Sequence, residues 1–289
     1  MPAATIDPVE LTRLARAPFD LDEVLAFLAL RAVPGVEAWD GERYHRSLDL
    51  AHGHGVASVG RDGRVAFHLE DDRDRARAED LVRRVFDLDV DPGAVTDVLA
   101  ADPVLAPLVA ASPGLRVPGS VDPFETVVRA IVGQQVSIAG ARTVTGRIVA
   151  TIGEPLRIAG TPLTHVFPAP GALAAADRAG FPMPARRAAT IVEVGARVAA
   201  GHLLLVHGAD RDAVVRGLLE VPGIGPWTAG YVAMRGLSDP DVFLPTDLGV
   251  RFGLAALGVG PERAERWRPA RSYAVHHLWA VAFRAKEVA

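Results

Sequence analysis

Val221-Pro222-Gly223-Ile224-Gly225-Pro226-Trp227-Thr228-Ala229 is the stretch from which the fold can be read. Two glycines flank one apolar residue, with a proline in front and a helix-forming run behind. Gly223 and Gly225 can both take positive φ and present uncovered backbone N–H groups at a tight turn. Ile224 between them is expected to plug the gap between the two helices that the turn joins. The second helix then starts with free N–H groups and its positive dipole end outward, which suits a phosphate. That pattern is a helix-hairpin-helix, a module that holds a nucleic-acid backbone without reading bases. Turns of this kind also join ordinary packed helices, so neighbouring residues must decide between the two.

Twenty positions beyond Trp227, the run Asp241-Val242-Phe243-Leu244-Pro245-Thr246-Asp247 ends in a carboxylate at the start of another predicted helix. Alone, such an aspartate is most simply an N-cap. Behind this hairpin and at this spacing it resembles the helix-hairpin-helix DNA glycosylases, and in particular the DNA-3-methyladenine glycosylase II (AlkA-type) family. The likeness extends over nearly the whole chain.

Composition sets the outer limits. At 289 residues, with 49% hydrophobic and 23% charged side chains, the chain is long enough for two or three compact units. No apolar run approaches membrane-spanning length and no export signal is expected, so the reading is cytoplasmic, with no membrane partner. The absence of cysteine removes disulfides, thiolate zinc sites and cysteine-ligated iron–sulfur clusters together. The net charge of −4 does not advertise a DNA binder, but it is unevenly spread. The first 120 residues carry 13 basic and 21 acidic side chains, and the remainder, which holds the hairpin, carries 18 and 14. A protein that grips through backbone amides and a few arginines needs only modest positive charge.

Along the chain, residues 1–18 read as a short leader. Asp20 or Asp22 caps a helix carrying Leu25, Phe27 and Leu28. Tyr44 to Leu50 alternates, as do Val65, Phe67 and Leu69 after the turn dipeptide Asp62-Gly63. Ala76 to Leu88 repeats with helical period. The fold class expected is therefore α+β: a small antiparallel-sheet α+β domain over residues 1–93, followed by two all-α subdomains. One spans 123–239 and holds the helix-hairpin-helix; the other is discontinuous, 94–122 plus 240–289, and carries Asp247. Asp122-Pro123-Phe124-Glu125 opens a helix with Asp as N-cap, Pro at N1 and Glu at N3. Gly133-Gln134-Gln135-Val136-Ser137 interrupts the helical pattern.

The resemblance implies roles for particular residues. Asp247 would stabilise the positive charge that builds on the deoxyribose as an N-glycosidic bond breaks, and must be ionised to do so. Trp227 stands where strand-nicking relatives carry a Schiff-base lysine, and the chain's one lysine, Lys286, is far off in sequence. A monofunctional enzyme that leaves an abasic site is expected. Trp227, Tyr231, Trp279 and Phe27 match the family's base cleft, where an indole face attracts a cationic alkylated purine; plain core packing is the alternative for Trp227. Gly223, Gly225 and Thr228 match the phosphate-contacting turn. The carbonyls of Leu219, Val221 and Ile224 match a site for a monovalent cation, Na+ or K+; no cofactor is implied for catalysis. Gln134 and Gln135 fall in the loop that fills the gap left by a flipped nucleotide.

Three departures stand out. The wedge, commonly apolar, is Gln135; Thr246 replaces a second aspartate; Leu248 and Ala280 replace tyrosines. The nine histidines form no persuasive metal set. The expected function is base excision repair of double-stranded DNA containing 3-methyladenine- or 7-methylguanine-type lesions, by a monomer. The alternatives are a catalytically silent hairpin protein that binds distorted DNA, and a glycosylase for oxidised or deaminated bases.

Overall fold

The computed structural model describes residues 9–287. Its first part is a five-stranded, wholly antiparallel sheet of order β1-β5-β4-β3-β2. The strands are β1 (Val9–Glu10), β2 (Glu37–Trp39), β3 (Arg43–Asp49), β4 (His54–Gly60) and β5 (Arg64–Leu69). Asp62-Gly63 makes the expected turn between β4 and β5, with Gly63 at φ 76° and the Asp62 carboxylate accepting from the Arg64 N–H at 3.0 Å. Register places Tyr44, Val59 and Val65 side by side across β3, β4 and β5, all buried. The helices Leu21–Arg31 and Arg75–Val85 cover them with Leu25, Leu28, Leu81 and Val85.

The leader expected at the start of the chain needs correction. Residues 1–8 lie outside the described part, but Val9 and Glu10 pair with Val65 and Arg64, and Leu11 is fully buried in the same core. An apolar residue placed next to a short edge strand buries itself, which composition alone does not announce.

The rest is helical. Two larger cores lie beyond the sheet's own, besides a small cluster of Val56, Ile158 and Leu163 on the sheet. One gathers Phe124, Ile131, Val149, Ile191, Leu218 and Val232. The other joins Leu99, Leu105 and Val109 to Met234, Val250, Trp267 and Leu278, so residues near 100 pack with the end of the chain. Many helix starts follow one rule, an Asp or Ser side chain accepting from backbone N–H groups: Asp20, Asp91, Asp122, Ser137, Asp210 and Asp247.

Asp122 caps as expected, accepting from the Phe124 and Glu125 N–H groups at 2.9 and 3.4 Å. Glu125 does more than close that cap. It is 2% exposed and lies on the seam between the sheet and the helices, where Arg46 of β3 forks onto both its oxygens. Arg129, one turn on, bonds Glu125 at 3.0 Å and Glu37 of β2 at 2.9 Å, while the Tyr44 hydroxyl donates to Glu37 at 2.6 Å. Burial pushes Glu37 up, but the Arg129 and Arg46 guanidiniums outweigh it and hold the carboxyl below its ordinary value. Removing one partner from such a buried set strands the others' charge. Glu125→Ala is therefore expected to cost about 3–5 kcal/mol of stability, read from the shift in urea midpoint at unchanged slope.

Candidate active site

The hairpin's first helix, Arg211–Leu219, is capped by Asp210, and its second is Pro226–Gly236. Ile224 is buried in the core between them, as expected. The two glycines differ. Gly223 sits at φ 95°, and a Cβ there would lie 2.4 Å from the Thr190 hydroxyl, which donates to the Pro222 carbonyl at 2.9 Å. Gly225 is instead extended, at φ −109° and ψ 179°, and a Cβ there would meet nothing within 4 Å. Of the two, only Gly223 uses the positive φ open to a glycine. Gly225 serves as the N-cap and supplies no side-chain cap, and Pro226 at N1 has no N–H to satisfy. The helix start is left available to an anion.

Asp247 caps the helix Leu248–Ala256 and accepts from the Val250 N–H at 3.0 Å. It also does something no cap requires. The Trp227 indole N–H donates to one carboxylate oxygen at 2.9 Å, and the Trp279 indole N–H donates to the other at 2.8 Å. Trp227 comes from the second hairpin helix and Trp279 from the last helix, Arg271–Glu287. Three chain segments thus fix one half-buried carboxylate through donors alone. Thr246 and Leu248 on either side are exposed.

The aromatic residues named from the sequence come together here. Trp227 stacks on Tyr231 with centroids 5.5 Å apart, and Tyr231 lies 6.4 Å from Trp279. Phe27 lies nearly parallel to Trp279 at 6.2 Å. Trp227 thus stacks on Tyr231, packs against the core beneath it and donates to Asp247.

Sequence reading missed three members of this group. Arg31 stacks on Phe27, its guanidinium carbon 3.7 Å from the ring centroid. Arg235 lies 4.7 Å from the same ring and donates to the Tyr231 hydroxyl at 3.0 Å. His276 packs on Trp279 and Phe27 at 4.7 and 5.1 Å. Its buried Nε2 has no hydrogen-bond partner among the described residues. Burial, then the Arg235 and Arg31 charges, drive the imidazole well below its usual value, so it is neutral. Each arginine follows its aromatic partner by four residues, a helical spacing that was the available signal.

The two glutamines separate. Gln134 turns its amide onto the hairpin, donating to the Gly223 carbonyl and the Thr228 hydroxyl, both at 3.1 Å. Thr228 is 2% exposed, so its side chain belongs to this clamp. Gln135 alone stands out at the exposed loop tip, at φ 56°. Among the described residues no cluster of three or more His, Asp or Glu is placed to hold a metal ion. The carbonyls of Leu219, Val221 and Ile224 bracket the hairpin turn; the Val221 oxygen also accepts from the Ile224 N–H at 3.0 Å. Neutral hard oxygens are a donor set for an alkali cation and not for a soft metal.

The chain is thus built as a sheet unit, helical cores, and a helix-hairpin-helix followed by an aspartate held between two indole N–H groups. The chain superposes on a 3-methyladenine DNA glycosylase from Archaeoglobus fulgidus with a TM-score of 0.80, covering 96% of this chain and 99% of that one at 20% identity. Residues 11–122 match the family described as the AlkA N-terminal domain. DNA-3-methyladenine glycosylase 2 of Escherichia coli is 39% identical over 272 residues, 91% of this chain and 94% of its own. A probable bifunctional transcriptional activator/DNA repair enzyme AlkA of Mycobacterium tuberculosis is 41% identical over 285 residues. That match takes in 96% of this chain but 58% of the relative, so the chain spans little more than half of its length. The chain belongs to the AlkA-type DNA-3-methyladenine glycosylase family.

The unlike glycines give a paired expectation. Gly223→Ala meets both a positive φ and the Thr190 hydroxyl, and should destabilise by about 1–3 kcal/mol. Gly225→Ala meets neither; it loses only the N-cap's preference for glycine over alanine and should cost less, about 1 kcal/mol or under. Thermal unfolding of the two variants checks this.

Proposed function

We propose that the chain is a DNA glycosylase that hydrolyses the N-glycosidic bond of alkylated bases in double-stranded DNA and leaves an abasic site with the backbone intact. The observation that carries it is the Asp247 carboxylate, twenty residues beyond Trp227 of the helix-hairpin-helix and held by two indole N–H groups among aromatic side chains. A protein that only binds DNA gains nothing from a carboxylate kept there.

The uncapped second hairpin helix takes a phosphate beside the lesion, and Gln135 enters the gap as the damaged nucleotide leaves the stack. Gln134 holds that loop to the hairpin, so the two contacts are made by one rigid piece. The extruded base enters among Trp227, Tyr231, Trp279 and Phe27. As the bond to C1′ lengthens, the sugar becomes positive, and Asp247 stabilises that charge and orients a water for attack. Because both its oxygens are already fixed by donors, the carboxylate needs little reorganisation as charge develops. An alkylated purine is already cationic and departs without a proton. The position of a Schiff-base lysine is filled by Trp227, which supports hydrolysis without strand cleavage. The Leu219, Val221 and Ile224 carbonyls would hold Na+ or K+, which would add a positive charge opposite the DNA phosphate.

Base release from methylated duplex DNA tests this. Wild type is expected to release 3-methyladenine or 7-methylguanine and leave strands uncut until alkali is added. Asp247→Asn should lower the rate by about 10²–10³-fold. DNA binding with no base release in wild type would favour a silent binder instead. Trp279→Phe, which keeps a ring but loses the donor to Asp247, should lower the single-turnover rate by about tenfold with little change in DNA affinity.

A further inference from the structure

Breaking an N-glycosidic bond heterolytically moves electron density from the sugar to the departing base. A cleft speeds this when it is negative at the sugar and positive behind the base. Asp247 provides the negative end.

The other end lies behind Phe27 and Tyr231, in a recess between the sheet and the helices. Four guanidiniums line it, Arg31, Arg46, Arg129 and Arg235, against two carboxylates, Glu37 and Glu125. Both carboxylates are engaged by Arg46 and Arg129. Arg31 and Arg235 make no ion pair with a described carboxylate. Arg31 donates to the Phe27 carbonyl at 3.3 Å; Arg235 donates to the Pro118 and Gly119 carbonyls and to the Tyr231 hydroxyl. Burial, and then the neighbouring Arg235 and Arg129, bring Arg31 down to about 10, which leaves it charged at neutral pH. Burial alone would push the Tyr231 phenol up, yet Arg235, Arg31 and Arg129 bring it down on balance. His276, the other polar side chain against Phe27 and Trp279, is neutral and cannot offset this charge. Positive charge without an ion-pair partner at a half-buried Arg31 and a buried Arg235 is costly and points to a use.

We infer that Arg31, backed by Arg235, is a specificity-determining residue that draws electron density onto the departing base and so sets the cleft's preference between neutral and cationic lesions. This rests on the glycosylase reading above. A neutral lesion such as hypoxanthine becomes partly anionic in the transition state and is attracted. A cationic base such as 7-methylguanine is repelled on entry, and part of that repulsion persists in the transition state. Arg31 thus raises kcat/KM for the first and lowers it for the second. Half a unit charge acting across one aromatic ring, at an effective dielectric of about 20, changes each by about fivefold.

The test is competition between hypoxanthine and 7-methylguanine duplexes, read as a ratio of kcat/KM for the full chain, its Arg31→Met variant and Arg31→Lys. Arg31→Met keeps an apolar stem on Phe27, and the hypoxanthine to 7-methylguanine ratio is expected to fall about tenfold or more; Arg31→Lys should restore most of it. If Arg31→Met does not fold, Arg31→Gln carries the same comparison. An unchanged ratio, or wild type that releases 7-methylguanine but no hypoxanthine, would overturn the inference and leave the glycosylase standing. Wild type that releases neither base would overturn both.

Discussion

The two hydrogen bonds from Trp227 and Trp279 to Asp247 are the constraint on which the cleft depends. Each tryptophan sits on a different helix, and the aspartate starts a third, so the carboxylate is a meeting point of segments distant in the chain. The bonds orient the indoles as much as they orient the acid. With its N–H committed, Trp227 can present a face only where Tyr231 stacks on it, and Trp279 only where it faces Phe27 and His276. Cleft shape and carboxylate placement are thus one arrangement, which is why a ring substitution that preserves bulk still disturbs the acid.

Charge is distributed with the same economy. The sequence carries a small net negative charge, yet around the cleft its arginines outnumber their acidic partners. The start of the second hairpin helix offers an anion a helix end and backbone N–H groups that no residue count registers. Much of the positive charge lies in the recess between the sheet and the helices, where a lower dielectric enlarges its effect on neighbouring groups.

The hairpin was legible because its signal is local: glycine spacing and a helix-forming run are properties of nine consecutive residues. Asp247 and the four aromatic residues were legible through their resemblance to a known family, and they do converge. The two glycines were read alike but differ, because only Gly223 has Thr190 against it, a contact between residues 33 positions apart. Gln134 and Gln135 are chemically identical neighbours, and only the position of the hairpin assigns one to a clamp and leaves the other free at the tip. Glu125 read as the third residue of a helix start; its ion pair with Arg46 spans 79 positions and has no local trace. Leu11 was hidden for a similar reason, since its burial follows from an edge strand two residues long.

The seam formed by Glu37, Arg46, Glu125 and Arg129 bears on how such a chain can change over time. Two of its members belong to the sheet and two to a single helix of the next unit, and besides the pair within each side, Arg46 reaches Glu125 and Arg129 reaches Glu37 across the seam. Cut apart, neither unit would keep a dry surface there. In this chain the sheet is therefore tied to the helices by buried charge, and a chain without it would need other residues at positions 125 and 129.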